Sequence, residues 1–340
     1  MHAKKIKKYI KSVMTMTAVL LIGTTASGQS WVTLHKPARN LVTPEKLERE
    51  ISFLADPLCQ GRSTGTAGNT EAAAWIARKF SDAGLTSFDG SWSKTVRTEE
   101  GTPCHNIIGF LCGSRTKAHP EQYVIIGAHY DHLGILDGKM YPGADSNGSG
   151  VVALTSLAEM LSMTQSIGIS YSCNLIFVAF DGKERALAGS NGLWEMICGG
   201  RLKDPVTGTV IGKNKIAMMI NIDQIGSSMA PLTKNREDYL IMLGGHSISR
   251  SDTYMLETCN AMYDINMEIG LNYYGSENFT KVFYRISDQR IFVDNRIPAV
   301  MFTSGITMNN NKTWDEPSTL NMEVLQKRIY LIYHWIDKIL

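Results

Sequence analysis

Five side chains that can bind a metal ion lie at the ends of predicted strands or in the turns that follow them. His129 and Asp131 follow an apolar run in GAHYDH, and Asp223 ends another run in NIDQIG. Asp145 lies in the glycine-rich turn PGADSNGSG, and Glu184 follows a third run in AFDGKERALAGS. Sites in open α/β sheets are built at the carboxyl ends of strands. One histidine with several carboxylates at such ends suits zinc or a similar divalent ion.

Each of these residues also has an ordinary structural interpretation. A single histidine in a loop is usually solvated or hydrogen-bonded, and Asp145 alone fits a turn or a helix N-cap. Their shared position at strand ends favours the metal site over these alternatives. Lys183 is the unexpected member of the group, since a lysine at a turn usually points to solvent. Here it lies among carboxylates where a strand becomes a helix.

Alternating strands and helices form the predicted frame that positions these residues. Runs typical of buried strands include QYVIIGAHYD, SCNLIFVAFDG, KIAMMINIDQIG, DYLIMLGG and IPAVMFTSG. The segment TPEKLEREISFLAD predicts a helix with Thr43 as its N-cap. No repeat or linker divides residues 29–340, so we expect a single α/β domain whose sheet is covered by helices on both faces.

The first 28 residues have the organisation of a signal peptide. They contain the basic stretch KKIKKYIK, the short apolar run VMTMTAVLLIGTTA and the small residues ASG. This order predicts a Sec-type signal peptide cut near Gly28, and a membrane anchor is the alternative interpretation. We therefore expect export to a periplasmic or extracellular location, with no membrane span in the mature chain.

Charge and cysteine content limit the partners of the mature chain. Residues 1–28 hold five lysines and no acidic residue, so residues 29–340 have a formal net charge of −3 against +2 for the full sequence. No basic stripe remains, which excludes nucleic acid as a partner. The six cysteines are scattered and lack metal-ligand spacing, so we interpret them as free buried thiols.

Several longer segments together resemble one protein family. These segments are GRSTGTAGN, NIIGFLCGS, VIIGAHYDHLG, GADSNGSGVVALTSLAEML and FVAFDGKERALAGS. They are similar to the co-catalytic zinc aminopeptidases of peptidase clan MH, which include bacterial leucyl aminopeptidases and glutaminyl cyclases. The resemblance covers nearly all of residues 29–340. It implies a single α/β domain with a mixed, largely parallel sheet between helices, which is the zinc-dependent exopeptidase fold.

The resemblance also implies a role for each candidate ligand. His129 and Asp223 match ligands of one zinc ion, and Asp145 matches the carboxylate that bridges two zinc ions. Glu184 matches a ligand of the second zinc. Asp131 matches the carboxylate that orients the histidine and raises its basicity. We further expect a cis peptide bond between Asp145 and the residue that follows it.

The sequence departs from the family pattern at the site itself. Lys183 replaces the glutamate that acts as general base, and Ser146 replaces the second aspartate of the glycine-rich turn. Gln289 replaces a histidine in the segment SDQ. No histidine lies between positions 246 and 334, so the last zinc ligand is absent by type, and Asp315 substitutes for it only with a small shift of the alignment. Ser146, Gln289 and Trp314 are expected to line the substrate cleft.

Three functions are compatible with these residues. The first is a metallo-exopeptidase whose activity is impaired or lost, and the second is a non-catalytic module that binds a peptide, a glycan or a protein. Glutaminyl cyclase chemistry is a weaker alternative, favoured only by Trp314. A lysine held protonated beside carboxylates cannot accept a proton. We expect Lys183 to supply charge in place of a second zinc, and at most one zinc to be held by His129, Asp145 and Asp223.

We predict that the mature chain begins close to Gln29, because the basic and apolar segments before it form a cleavable signal. Mass spectrometry of the protein purified from its native host measures the first residue directly. An intact Met1 in that protein would contradict the signal peptide.

Overall fold

A computed structural model describes residues 33–114, 120–228, 236–273 and 275–340. The predicted signal peptide, residues 1–28, lies outside the described residues. Among the described residues, no helix combines the length and the apolar content needed to cross a membrane. All six cysteines lie in the described part of the chain and none is paired with another. The prediction that they are buried is wrong for three of them, since Cys112 and Cys173 are partly exposed and Cys198 is exposed.

Nine of the described strands form one sheet, and two more form a small hairpin. The strands are β1 (Thr86–Ser87), β2 (Ser93–Arg97), β3 (Pro103–Leu111), β4 (Tyr123–His129), β5 (Gly134–Leu136), β6 (Lys139–Tyr141), β7 (Asn174–Phe180), β8 (Ile216–Ile222), β9 (Tyr239–Leu243), β10 (Glu268–Gly270) and β11 (Ala299–Thr303). The sheet order is β1-β3-β7-β4-β8-β11-β9-β10, with β2 also paired to β3, and the hairpin is β5-β6.

The predicted mixed sheet is confirmed, and its parallel part is the centre. Strands β7, β4, β8 and β11 run parallel to their neighbours in this group. Strand β3 is antiparallel to β7 at one side, and β9 is antiparallel to β11 at the other. Every residue of β4 and of β7 is buried. The continuous apolar runs of the sequence therefore correspond to strands that are covered on both faces.

Helices cover both faces of the sheet. A helical segment at residues 33–39 precedes α1 (Pro44–Ala55), α2 (Ala67–Asp82), α3 (Gly150–Ser166), α4 (Ala188–Cys198), α5 (Arg250–Met262), α6 (Glu277–Tyr284), α7 (Arg290–Asp294) and α8 (Met322–Ile339). Short 3₁₀ turns cover Pro57–Arg62, Lys213–Lys215, Gly245–Ser247 and Pro317–Thr319, and a π turn covers Ala144–Ser149. Thr43 caps α1 as predicted, since its hydroxyl accepts a hydrogen bond from the backbone N–H of Lys46 at 3.3 Å.

Two apolar cores lie on opposite faces of the sheet. Helices α1, α2, α3, α5 and α8 contribute to the larger core, whereas α4 and α7 contribute to the smaller one. Neighbouring residues of one strand alternate between the two, as Ile126 does with Ile125 on β4. This alternation follows from the two-residue period of a strand. It fixes which residues at the strand ends point towards either face.

The parallel centre brings three strand ends to one edge. Strand β4 lies between β7 and β8 and ends at His129, while β7 is followed by Asp181 and β8 by Asp223. These residues are far apart in sequence but adjacent in the fold, because parallel neighbours end on the same side. The edge is the position predicted for the site.

Arg62 is a buried arginine that holds the loops at this edge together. Its guanidinium donates hydrogen bonds to the carbonyls of Leu54, Tyr130, Pro142 and Gly143 at 2.6–2.8 Å. These carbonyls belong to α1, to the residue after β4 and to the segment before the π turn. The side chain is fully buried and has no carboxylate partner among the described residues. The loops at the edge therefore share one cationic donor.

We predict that Arg62→Ala lowers the free energy of unfolding by about 3 to 5 kcal/mol, because four buried carbonyls lose charge-assisted hydrogen bonds. Urea unfolding followed by circular dichroism measures the change. The matched control is Arg78→Ala on α2, whose side chain is exposed and should change the stability by less than about 0.5 kcal/mol. Equal losses in the two variants would contradict the role of Arg62.

Candidate functional site

His129 and Asp223 come together at the edge of the sheet, as their strand positions predict. Nε2 of the fully buried His129 lies 3.4 Å from Oδ1 of Asp223. Nδ1 of His129 lies 3.0 Å from the carbonyl oxygen of Asp131. Burial alone lowers the pKa of His129, but the charge of Asp223 outweighs burial and raises it to about 10. In this arrangement the two residues form a buried ion pair.

Asp131 holds the turn that follows β7. Its carboxylate accepts the backbone N–H of Lys183 and that of Glu184, each at 2.9 Å. The nearer carboxylate oxygen lies 3.7 Å from Nδ1 of His129. Burial tends to raise the pKa of Asp131, but the hydrogen bonds and the positive charge of His129 bring it below its usual value. Asp131 therefore positions both the histidine and the lysine.

Lys183 lies inside the site and forms an ion pair with Glu184. Its ammonium is 2.9 Å from Oε1 of Glu184, and only 19% of the lysine side chain is exposed. Burial alone lowers the pKa of Lys183, but the carboxylates of Asp223 and Glu184 outweigh burial and hold it above its usual value. A protonated amine has no lone pair to accept a proton. Lys183 is thus a cation at the position for which the resemblance predicts a general base.

Ser287 is a site residue that the sequence analysis missed. Its hydroxyl donates to Oδ2 of Asp223 at 2.6 Å and accepts from Nδ2 of Asn221 at 2.8 Å. The segment SDQ drew attention only to Gln289, although its first residue was available in the same motif. Ser287 donates a hydrogen bond to one carboxylate oxygen of Asp223, and His129 lies beside the other, so both oxygens have a polar neighbour within the protein.

Asp145 does not join His129 and Asp223. Its carboxylate accepts the backbone N–H groups of Gly226 at 2.7 Å and of Ser227 at 3.2 Å, together with the hydroxyl of Ser149 at 2.9 Å. These donors lie in the segment after β8 and in the π turn. The predicted bridging ligand is therefore placed as an anchor between two loops.

The cis peptide bond was predicted one residue too early. The structure has it between Ser146 and Asn147, not between Asp145 and Ser146. Ser146 is buried, and its hydroxyl accepts a hydrogen bond from Nε2 of Gln224 at 2.7 Å. Ser146 thus contacts Gln224, which lines the cavity beside the site, but Ser146 does not line that cavity itself.

Asp315 is buried beneath the π turn and holds its backbone. Its two carboxylate oxygens accept the N–H groups of Asp145 at 2.9 Å and of Ser146 at 3.1 Å. Burial and the nearby charge of Asp145 raise the pKa of Asp315 to about 7. The structure does not bring Asp315 to His129 and Asp223, so its substitution for the missing histidine ligand is not supported by this geometry.

Two residues predicted to line the substrate cleft lie elsewhere. Gln289 is fully buried, where it accepts from Nδ2 of Asn221 at 2.8 Å and donates to the carbonyl of Tyr284. It supports the site from within the fold because its amide is satisfied by buried partners. Trp314 is 55% exposed and does not line the cavity beside the site.

A cavity of about 310 Å³ opens beside Lys183 and Asp223, and we call it the cleft cavity. Its other lining residues are Gln224, Tyr273, Phe283, Ile286, Met301, Thr303, Ile306, Asn310 and Asn311. The aromatic rings of Tyr273 and Phe283 stack at a centroid distance of 4.6 Å. A cavity that combines apolar and aromatic side chains with polar groups is typical of a site for a small ligand or a side chain.

The residues present do not form a zinc site. Among the described residues, no three side chains of histidine, cysteine, aspartate or glutamate cluster closely enough to hold a metal ion. Zinc sites in proteins use three or four protein ligands. His129 adjoins Asp223 through Nε2 and Asp131 through Nδ1. Glu184 is paired with Lys183, and Asp145 is held by backbone amides.

Comparison with known sequences identifies the family. The profile of Peptidase family M28 matches residues 106–335, which include every candidate site residue above. The chain belongs to this family. A probable leucine aminopeptidase of Arthroderma otae is 30% identical over 157 residues, 45% of this chain and 40% of that protein. The chain thus aligns with about two fifths of the length of this curated relative.

Solved structures of M28-like proteins share the fold. LapB from Legionella pneumophila has a TM-score of 0.67 at 18% identity, covering 90% of this chain and 74% of its own. BSAP, a zinc aminopeptidase from Bacillus subtilis, has a TM-score of 0.63 at 14% identity, covering 87% and 95%. The glutaminyl cyclase of Porphyromonas gingivalis has a TM-score of 0.60 at 17% identity, covering 88% and 99%. At these identities the comparisons show a shared fold.

We predict that Asp145→Asn lowers the free energy of unfolding by about 1 to 3 kcal/mol, because an amide cannot accept at both oxygens from Gly226, Ser227 and Ser149. The loss should be the same with and without excess EDTA, since the residue holds loops. Urea unfolding in both buffers measures it, with Asp137→Asn in an exposed turn as the control. A loss of stability that disappears in EDTA would indicate that Asp145 is a metal ligand after all.

Proposed function

We propose that this chain is an exported M28-family protein that binds peptides at the family cleft and has impaired or lost peptide hydrolysis. The observation that carries the proposal is the partly buried ion pair between Lys183 and Glu184. It puts a cation at the general-base position and engages a carboxylate that the resemblance assigns to zinc. Both steps of metal-assisted hydrolysis, water activation and metal binding, are affected by one substitution.

Loss of the base alone is sufficient to slow hydrolysis strongly. General acid–base groups typically contribute about 10² to 10⁴-fold to the rate. Lys183 would have to lose its proton to act as a base, and its carboxylate neighbours favour the protonated form. This charge state supports a cleft that binds without turnover.

The arrangement of donors supports at most one zinc ion, and a weakly held one. His129 and Asp223 provide two ligands, whereas tight structural and catalytic sites use three or four. An ammonium needs only nearby oxygens to make charge-assisted hydrogen bonds. Lys183 thus supplies positive charge in place of a zinc ion, and it does so without the three or four protein ligands that zinc requires.

The cleft cavity supports peptide binding. Its apolar wall, formed by residues such as Phe283, Ile286 and Met301, suits one apolar side chain of a peptide. Gln224 and Asn310 line the same cavity and can hydrogen-bond a peptide backbone. Membership of a peptidase family indicates that the ligand is a peptide. The lining residues can bind one of its side chains and one of its amide groups.

Glutaminyl cyclase activity is less compatible with the site. The resemblance favours it through Trp314, which the structure places at the surface away from the cleft cavity. That chemistry also requires the acid–base glutamate that Lys183 replaces. This activity would form pyroglutamate from a glutaminyl peptide, and that product can be measured alongside peptide hydrolysis.

We predict that the purified mature protein holds less than one zinc per chain. We also predict that it shows no chelation-sensitive hydrolysis of aminoacyl-anilides. The reason is the two-ligand set and the protonated Lys183. Elemental analysis and an anilide assay with and without EDTA measure both quantities. Isothermal titration with an apolar tripeptide measures binding independently of turnover.

The variant Lys183→Glu separates the parts of this proposal. It removes the ammonium and adds a carboxylate, so zinc affinity should rise, whereas Lys203→Glu makes the same charge change at an exposed position and should not alter it. Two zinc ions per chain in the unmodified protein, with robust chelation-sensitive hydrolysis, would overturn the loss of activity. Absence of peptide binding would overturn the binding role.

A further inference from the structure

A second cavity, of about 360 Å³, lies on the other side of the turn that carries Lys183. Strand β2, helix α4 and the residues between β7 and α4 form its walls. It shares no lining residue with the cleft cavity. Because three of its lining residues are Arg97, Arg185 and Arg201, we call it the arginine cavity. A ligand there does not depend on the function proposed above.

Close packing between α4 and β2 builds the floor of the arginine cavity. The α4 residues that line it are Ala188, Asn191, Gly192 and Glu195, which occupy one face of the helix. A Cβ atom on Gly192 would lie 2.4 Å from Cγ1 of Val96, so only glycine allows this approach. A glycine inside a helix is less favourable than an alanine. Gly192 is nevertheless present at the point where the helix backbone contacts the strand.

The charges around this floor are not paired with one another. Two glutamates, Glu99 and Glu195, line the same cavity as the three arginines, and all five residues are exposed. Within the described ranges, none of the five side chains forms an ion pair, and Arg97 donates only to the carbonyl of Gly101 at 2.8 Å. The lining therefore has a net charge of +1 and displays both signs. A guanidinium presents a planar fork that fits a carboxylate with two hydrogen bonds.

We propose that the arginine cavity binds a ligand with two carboxylates and one ammonium group, as in free glutamate or a dipeptide that begins with glutamate, whose second carboxylate is its carboxyl terminus. The carboxylates bind Arg185 and Arg201, and the ammonium binds Glu99 or Glu195. The ligand's net charge of −1 complements the +1 of the lining. A volume of about 360 Å³ is at the small end of ligand sites, which suits an amino acid or one residue of a peptide.

Isothermal titration of the full mature chain with L-glutamate and with a glutamyl dipeptide tests this proposal. We expect saturable binding of at least one of the two, and the tighter one identifies the source as free amino acid or peptide. L-Glutamine, which lacks one carboxylate, should bind about tenfold or more weakly. Arg185→Gln and Arg201→Gln should each reduce the affinity about tenfold or more, since each loses a charge-assisted hydrogen bond to a carboxylate.

The control variant is Arg78→Gln, because Arg78 is exposed on α2 and does not line the arginine cavity. It should leave the affinity unchanged. All three substituted side chains are exposed, and unchanged thermal unfolding of each variant confirms that the fold is retained. The proposal is overturned if neither probe binds, if both cavity variants bind as the unmodified protein does, or if inorganic phosphate binds as tightly as glutamate.

Discussion

Carboxylates buried at the carboxyl edge of the parallel strands must be compensated, and the loops of the site are arranged around this requirement. Burying a charge without partners is costly. Asp131 accepts two backbone N–H groups, Asp315 accepts two, and Asp145 accepts two together with a hydroxyl. Asp181 is held in the same way by the N–H of His105 and by two side chains. Each carboxylate thereby ties a strand end or turn to a segment that is distant in sequence.

This use of carboxylates shows how the edge of the sheet is held together by the protein chain itself. Backbone amides satisfy Asp131 and Asp145 within the chain, so these carboxylates do not depend on a metal for compensation. The charges that remain, Asp223 and Glu184, face Lys183 and His129. One ammonium and one imidazolium balance the site where a metalloenzyme uses dications.

The fold and the central pair of the site were predictable from local signals. Continuous apolar runs identified the buried strands, and the family resemblance predicted that His129 and Asp223 meet. The structure supplies the reason, because β4 and β8 are parallel neighbours. The contacts of Asp145 and Asp315 were not predictable in this way. They depend on where the amides of other loops lie, and a sequence motif records residue type but not side-chain direction. The same limit applies to Gln289, whose motif suggested the cleft and whose amide points into the fold.

Arg62 has a consequence for how this protein tolerates change. Its four hydrogen bonds end on backbone carbonyls, a group that every amino acid possesses. The residues around the edge can therefore exchange side chains over evolutionary time without losing the bonds that shape it. A scaffold that is held by main-chain hydrogen bonds can keep its shape while its side chains, and therefore its chemistry, change. Such a scaffold permits a lineage to replace a catalytic residue while the cleft around it keeps its outline.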